Sequence, residues 1–180
     1  TEYVSRFDGP YEPEKGFLFD KEKDILDPYA RTVVGQEIWG KKSENLKGSV
    51  YRGKVVADTF DWGTSAGPDY DMSDLIIYEM HVRGFTRHPS SGVKYPGTFE
   101  GIREKIPYLK ELGINAVELM PVFEFDELEE SRTCQGKYLY NYWGYNTVSF
   151  FAPNTSYGTN EEGNTPAGEF KRLIRDLHDN

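Results

Sequence analysis

The chain has 180 residues, 37% hydrophobic and 28% charged, with 21 Lys and Arg against 30 Asp and Glu, for a formal net charge of −9. That length carries about one domain with a core of its own, and a surface this acidic repels phosphate backbones, which argues against nucleic acid as a partner. No apolar run approaches the roughly 18 residues that span a bilayer, so no membrane is expected, and Cys134, the single cysteine, can neither close an internal disulfide nor build a cysteine-rich metal site.

The opening "TEYVSRFDGPYEPEKG" lacks the basic start and apolar stretch of a signal peptide. It begins abruptly, as a piece of a longer protein would. With the lone thiol read as free in a reducing compartment, the expected location is the cytoplasm, or the plastid stroma in a plant or alga. The first third is rich in turns around Gly9-Pro10, Pro13 and "LDPYA"; "GFLFD" and "GSVYRGKVVAD" can each hold a short strand. "FDWGTSAGPDYDMSD" has the Gly, Ser, Pro and Asp content of a linker.

From Leu75 the texture changes. "LIIYEMHV" is a near-continuous apolar run of β-formers, the pattern of a strand buried on both faces. A polar loop, "RGFTRHPSSGVKYPG", follows. Thr98 is a helix N-cap, Phe99, Ile102, Ile106 and Leu109 recur at helical spacing, and Gly113 suits the stop. Pro107 inside this pattern predicts a kink or a split into two short helices. "INAVELMPV" is a second buried strand. A long loop spans residues 123–164, and "PAGEFKRLIRDLHDN" places Phe170, Leu173, Ile174 and Leu177 on one face of a last helix. Strand, helix, strand, loop, helix implies an α/β fold with parallel strands, either a doubly wound sheet or a (β/α) barrel. Two such strands alone leave faces and edges uncovered, so more strands are expected around them.

No Gly-rich phosphate loop and no His or Cys pair at metal spacing appears. His81 ends the first strand, where barrel enzymes place their sites; it is either a hydrogen-bonded structural group or a pocket wall. "FEFDELEE", residues 123–130, reads as a solvated acidic loop or as a cation or acid–base cluster. Glu118 and Met120 lie near the second strand's end, Met120 as a packing residue. "NYWGYNTVSFFAPNTSYG", residues 141–158, crowds aromatics into the long loop. Phe150, Phe151 and Tyr157 read as packing. Tyr142, Trp143 and Tyr145 sit around a Gly that permits a tight turn. An amphipathic ring in such a loop matches a sugar, whose C–H face stacks while its hydroxyls take hydrogen bonds.

"YEMHVRGFT", "ELMPVFEFDE" and "NYWGYNTVSFFAP", in this order and with "LDPYA" upstream, resemble the isoamylase-type glycogen and starch debranching enzymes of the α-amylase family, glycoside hydrolase family 13. The likeness runs over residues 7–180. It implies an N-terminal β-sandwich of carbohydrate-binding-module type followed by a (β/α)8 TIM barrel. Residues 1–18 would be the tail of the sandwich, 19–74 a connecting segment, and 75–180 the first two βα units, ending before the third strand. The barrel strands would be residues 75–81 and 116–121, the helices 98–112 and 166–179.

The resemblance further implies that Tyr145 stacks on the glucose ring at the cleavage subsite, with Trp143 and Asn146 flanking it as cleft wall. The family's nucleophilic Asp, general-acid Glu and second Asp lie on later strands, so no catalytic residue is expected here and the chain by itself is expected to be inactive. The implied partner is branched α-glucan: glycogen, amylopectin or limit dextrin. Some relatives bind calcium near "PVFEFDE". Glu124 stands at a matching place, whereas Phe125 and Glu127 replace the hydroxyl and amide side chains expected beside it, and Phe125 offers no side-chain ligand. A branching enzyme, a pullulanase, a trehalose-forming hydrolase and a non-catalytic glucan-binding subunit are the alternatives.

Overall fold

The computed structural model describes residues 1–41, 51–129 and 131–180. The first third forms five short strands: β1 (Glu2–Tyr3), β2 (Tyr11–Glu12), β3 (Phe17–Leu18), β4 (Val33–Val34) and β5 (Arg52–Lys54). β2 and β3 pair as an antiparallel hairpin, and β1, β5 and β4 form an antiparallel sheet in that order. The two strands read from the sequence are β3 and β5; residues 48–50 of the second reading lie outside the described residues.

The parallel unit follows. β6 (Ile77–Met80) and β7 (Ala116–Leu119) pair in parallel, with Glu79 beside Glu118 and Met80 beside Leu119. Between them run α1 (Val82–Arg87), α2 (Phe99–Arg103) and α3 (Ile106–Leu112). Thr98 caps α2 by accepting from the Gly101 N–H at 3.1 Å. Pro107 does split the predicted helix: it sits in the first turn of α3, where its missing N–H leaves no bond unmade. α1 corrects the sequence reading, which leaves these residues in a loop. Its start is fixed by the His81 side chain, which accepts from the Gly84 N–H, a cap that is uncommon for His and carries no sequence signature.

The expected long loop is also corrected, because it contains four strands. β8 (Phe123–Phe125) pairs antiparallel with β11 (Thr147–Pro153), and β9 (Arg132–Cys134) with β10 (Lys137–Leu139). The register of β11 shifts twice, so both Phe150 and Phe151 turn outward, 65% and 56% exposed. Of the three aromatics read as packing, only Tyr157 is in the core. α4 (Pro166–His178) closes the chain and docks on α2 through Arg103, which bonds both Glu100 and Asp176, and through Arg172, 3.0 Å from Glu100.

One core lies between β6, β7 and the helices, built from Met80, Val82, Phe99, Ile102, Leu109, Phe125, Tyr157 and Leu173. β6 is not enclosed on either face, since only Met80 of its four residues is buried. Ile76 and Ile77 are 57% and 54% exposed, although the sequence reads the run as buried on both sides. Phe99 is the hub: it stacks on Phe170 at 4.8 Å and meets Tyr157 edge-on at 5.8 Å. Phe99→Ala is expected to cost about 3–5 kcal/mol, the range for truncating a fully buried aromatic. Urea unfolding measures it, and a loss below about 1 kcal/mol would mean that the site collapses onto the cavity.

Candidate functional site

The C-terminal ends of β6 and β7 carry the site. A cavity of about 670 Å³ opens there, lined by Glu79, Glu118, Met120, Phe150, Tyr145 and Asn146. Tyr145 is the most open ring in it, 71% exposed. Gly144 sets its direction, with φ at +79° and the Phe125 ring 2.6 Å from where a Cβ would sit. The loop therefore lies flat on Phe125 and turns Tyr145 outward. Asn146 is held by donating to the Glu129 carboxylate at 2.6 Å. Trp143, 58% exposed, packs edge-on against Tyr142 and is not among the residues lining the cavity.

His81 sits beneath the loop. It is 7% exposed and stacks on Tyr142 with centroids 4.0 Å apart and planes within 8°. Its Nε2 bonds the Tyr142 carbonyl at 2.7 Å while Nδ1 accepts from Gly84, which requires the neutral ring with its proton on Nε2. Burial lowers its pKa, against the opposing pull of the Tyr142 carbonyl. His81 thus ties the end of β6 to the start of α1 and to the aromatic loop. Trp39, which the sequence analysis did not single out, completes this packing. It stacks on Tyr157 at 6.1 Å, meets His81, Phe125 and Tyr142 edge-on, and carries the Arg83 guanidinium 4.5 Å above its ring. Its neighbours "GQEIWG" show no periodicity, so no local signal marked it.

The acidic run is not a solvated loop. Glu124 and Glu127 are 0% exposed and Asp126 is 8%; Glu130 lies outside the described residues. The Glu124 Oε2 accepts from the Thr155 N–H at 2.8 Å, while Oε1 is buried with no hydrogen-bond partner. Burial pushes the Glu124 carboxyl up to about 8, with the Thr155 donors opposing and the charges of Glu127 and Glu37 adding to the rise. Glu127 accepts from Ser156 Oγ at 2.9 Å, Asn154 Nδ2 at 3.3 Å and the Gly40 N–H at 3.3 Å. Burial raises its pKa too, and those donors pull it back.

These residues do not fit calcium, which takes six to eight oxygen ligands. The bare Glu124 Oε1 is a single oxygen, far short of that number. Phe125 supplies no ligand, both Glu127 oxygens are taken by internal donors, and no group of three or more His, Cys, Asp or Glu among the described residues could hold a metal. Cys134 is a free, exposed thiol on β9.

Parallel βα pairing, with an aromatic loop over the strand ends, is the arrangement of an α/β catalytic domain. The alpha amylase catalytic domain matches residues 55–180, and the chain belongs to that family. The relatives it matches carry isoamylase, GlgX homolog and glycogen debranching enzyme names. "Isoamylase 1, chloroplastic" of Arabidopsis thaliana is 40% identical over 98% of this chain and 24% of its own length. The glycogen operon protein GlgX homolog of Mycobacterium tuberculosis is 34% identical over 98% of this chain and 27% of its own. Among solved structures, a type I pullulanase of Bacillus subtilis complexed with maltose superposes with a TM-score of 0.64 at 27% identity, covering 89% of this chain and 22% of that one. The pullulanase of Paenibacillus barengoltzii with maltohexaose and alpha-cyclodextrin gives 0.65 at 26% identity, covering 87% and 25%. The chain spans about a quarter of the length of the relatives it matches.

Proposed function

We propose that this chain is part of a debranching glycoside hydrolase that cuts the α-1,6 links of glycogen, amylopectin or limit dextrin, in a cytoplasm or a plastid stroma. The observation that carries the reading is the cavity at the strand ends, with an outward Tyr145 beside Asn146 and the carboxylates of Glu79 and Glu118. A flat ring flanked by hydrogen-bonding groups is what a pyranose needs. Trp143, exposed two residues before Tyr145 on the same loop, stands outside the cavity lining, and His81 acts by holding the loop in place. The relatives are named isoamylases and a glycogen operon protein, which supports the substrate class.

In this reading residues 1–18 are the tail of a β-sandwich, 19–74 connect, and 75–180 are the first two βα units of a (β/α)8 barrel. The exposure of Ile77, Tyr78 and Glu79 on β6 supports it, as does the hollow of about 810 Å³ beside β7, whose lining includes Leu109, Val117, Leu119 and Leu177. The nucleophilic and acid carboxylates then fall on strands outside these residues, and cleavage retains configuration through a covalent glycosyl intermediate. Pullulanase is the second reading, favoured by the solved neighbours.

The test is to give amylopectin and pullulan to the complete natural protein and follow the freed reducing ends by NMR. Linear oligosaccharides released in the α-configuration are expected from amylopectin, and none from the chain alone. Faster attack on pullulan selects the second reading. Binding without release by the complete protein overturns the enzyme and leaves a glucan-binding subunit.

A further inference from the structure

We propose that the β9–β10 hairpin carries a second glucan platform, made by Tyr138 and Tyr140, which takes a linear α-glucan segment running outward from the Tyr145 cavity; this rests on the glucan-binding reading above. The hairpin is tight. Its two-residue turn is Gln135-Gly136, both with positive φ, 50° and 75°, the geometry that matches the twist of the flanking strands. Tyr138 and Tyr140 lie two residues apart on an extended chain and so share a side. Their centroids are 5.6 Å apart with planes tilted by 32°, and they are 59% and 39% exposed.

Tyr140 has a backed ring. A Cβ added to Gly40 would meet it at 2.9 Å, so the Gly40 backbone lies directly against the tyrosine. Gly40 is itself anchored, because its N–H donates to the buried Glu127 and the Ile38 to Lys41 bridge closes the turn around it. The hydroxyl end of the ring is therefore held against backbone while part of the ring stays open, which is how a stacking platform avoids the entropy cost of a free side chain. The platform joins the cavity through a fixed path. The Asn141 N–H donates to the Glu127 carbonyl at 2.8 Å, Tyr142 stacks on His81, and Trp143 and Tyr145 follow, both exposed. Tyr145 lies five positions after Tyr140, so their Cα atoms lie within about 17 Å, a span for a short oligosaccharide.

The chemistry points to sugar over a protein partner. Tyr138 and Tyr140 each carry a hydroxyl at the ring edge, and the register puts the Thr133 hydroxyl on the same face of the hairpin as Tyr138, whereas Arg132, Lys137 and Leu139 take the other face. The solved pullulanase neighbour holds maltohexaose, a linear oligosaccharide of several units.

The experiment is calorimetric titration of the complete natural protein with maltotriose and maltohexaose, for the native sequence and for Tyr138→Ala, Tyr140→Ala and Tyr145→Ala. Tyr138→Ala is the main variant, since Tyr138 contacts Tyr140 and solvent and its loss should leave the melting temperature unchanged. The expected result is that Tyr138→Ala and Tyr140→Ala weaken maltohexaose roughly tenfold and leave maltotriose unchanged, while Tyr145→Ala weakens both. If both hairpin variants bind maltohexaose like the native protein while Tyr145→Ala is impaired, the platform is overturned, the cavity reading stands, and the tyrosines are left to a protein partner. If the native protein binds neither sugar, the glucan reading falls and takes the platform with it.

Discussion

Tyr145→Ala in the complete natural protein is expected to lower turnover on branched glucan about a hundredfold while moving stability by no more than about 0.5 kcal/mol. The asymmetry follows from where the ring sits. At 71% exposure Tyr145 contributes little to the core, and its neighbours Asn146 and Gly144 are fixed independently, by Glu129 and by Phe125. The loop should keep its shape when the ring is removed. On the proposed reading, what is lost is the surface that aligns the sugar with carboxylates elsewhere in the protein, and small misplacement of a reacting group is costly. Initial rates on amylopectin and a thermal melt, made on the same preparation, measure both quantities. Equal losses in the two would place Tyr145 in the packing of the loop and remove it from the site.

The second large effect is a fall in stability as pH rises from about 5 to 8. In the unfolded chain Glu124 ionises near the ordinary carboxylate value of 4.5, whereas in the fold burial holds its proton up to about 8. Between those values the folded state binds one more proton than the unfolded state, so stability declines with pH by up to about 1.4 kcal/mol per unit. The contribution is complete below the unfolded value and gone above the folded one. Glu127 and Glu169, both raised chiefly by burial, act in the same direction. His81, lowered by burial, opposes them on the acid side, where its folded form resists protonation.

Glu124→Gln isolates the main group. The amide oxygen can still accept from the Thr155 N–H, and the side chain no longer titrates. Urea unfolding of both proteins at pH 5, 6, 7 and 8 is expected to give a steep slope for the native protein and a flatter one for the variant, with the variant the more stable at pH 8. Parallel slopes would show that Glu124 is ionised in the fold and has a partner for its second oxygen.

Much of this protein was legible in its residues because the signals were local. The strand at β6, the Thr98 cap, the break at Pro107 and the periodic face of α4 each depend on a few neighbouring side chains and form where the pattern puts them, although β6 is shorter than the run and lacks its expected burial on both faces. The order of the three motifs carried the family, and the aromatic cluster marked the loop that reaches the strand ends.

Tertiary structure decided what depends on distant partners. "FEFDELEE" has the composition of a solvated loop. Glu124 and Glu127 are buried because donors from residues 40 and 154–156 surround them, and no local rule brings those segments together. The long segment between β7 and α4 became strands through pairings across it, with a register too irregular to alternate, so Phe150 and Phe151 face outward where Tyr157 is buried. Trp39 sits in a turn-rich stretch without pattern, yet it packs against His81, Phe125, Tyr142 and Tyr157. Backbone propensity is set by near neighbours, whereas burial and hydrogen-bond satisfaction are set by whatever the fold brings alongside, and that is the division between what the chain states and what only its packing resolves.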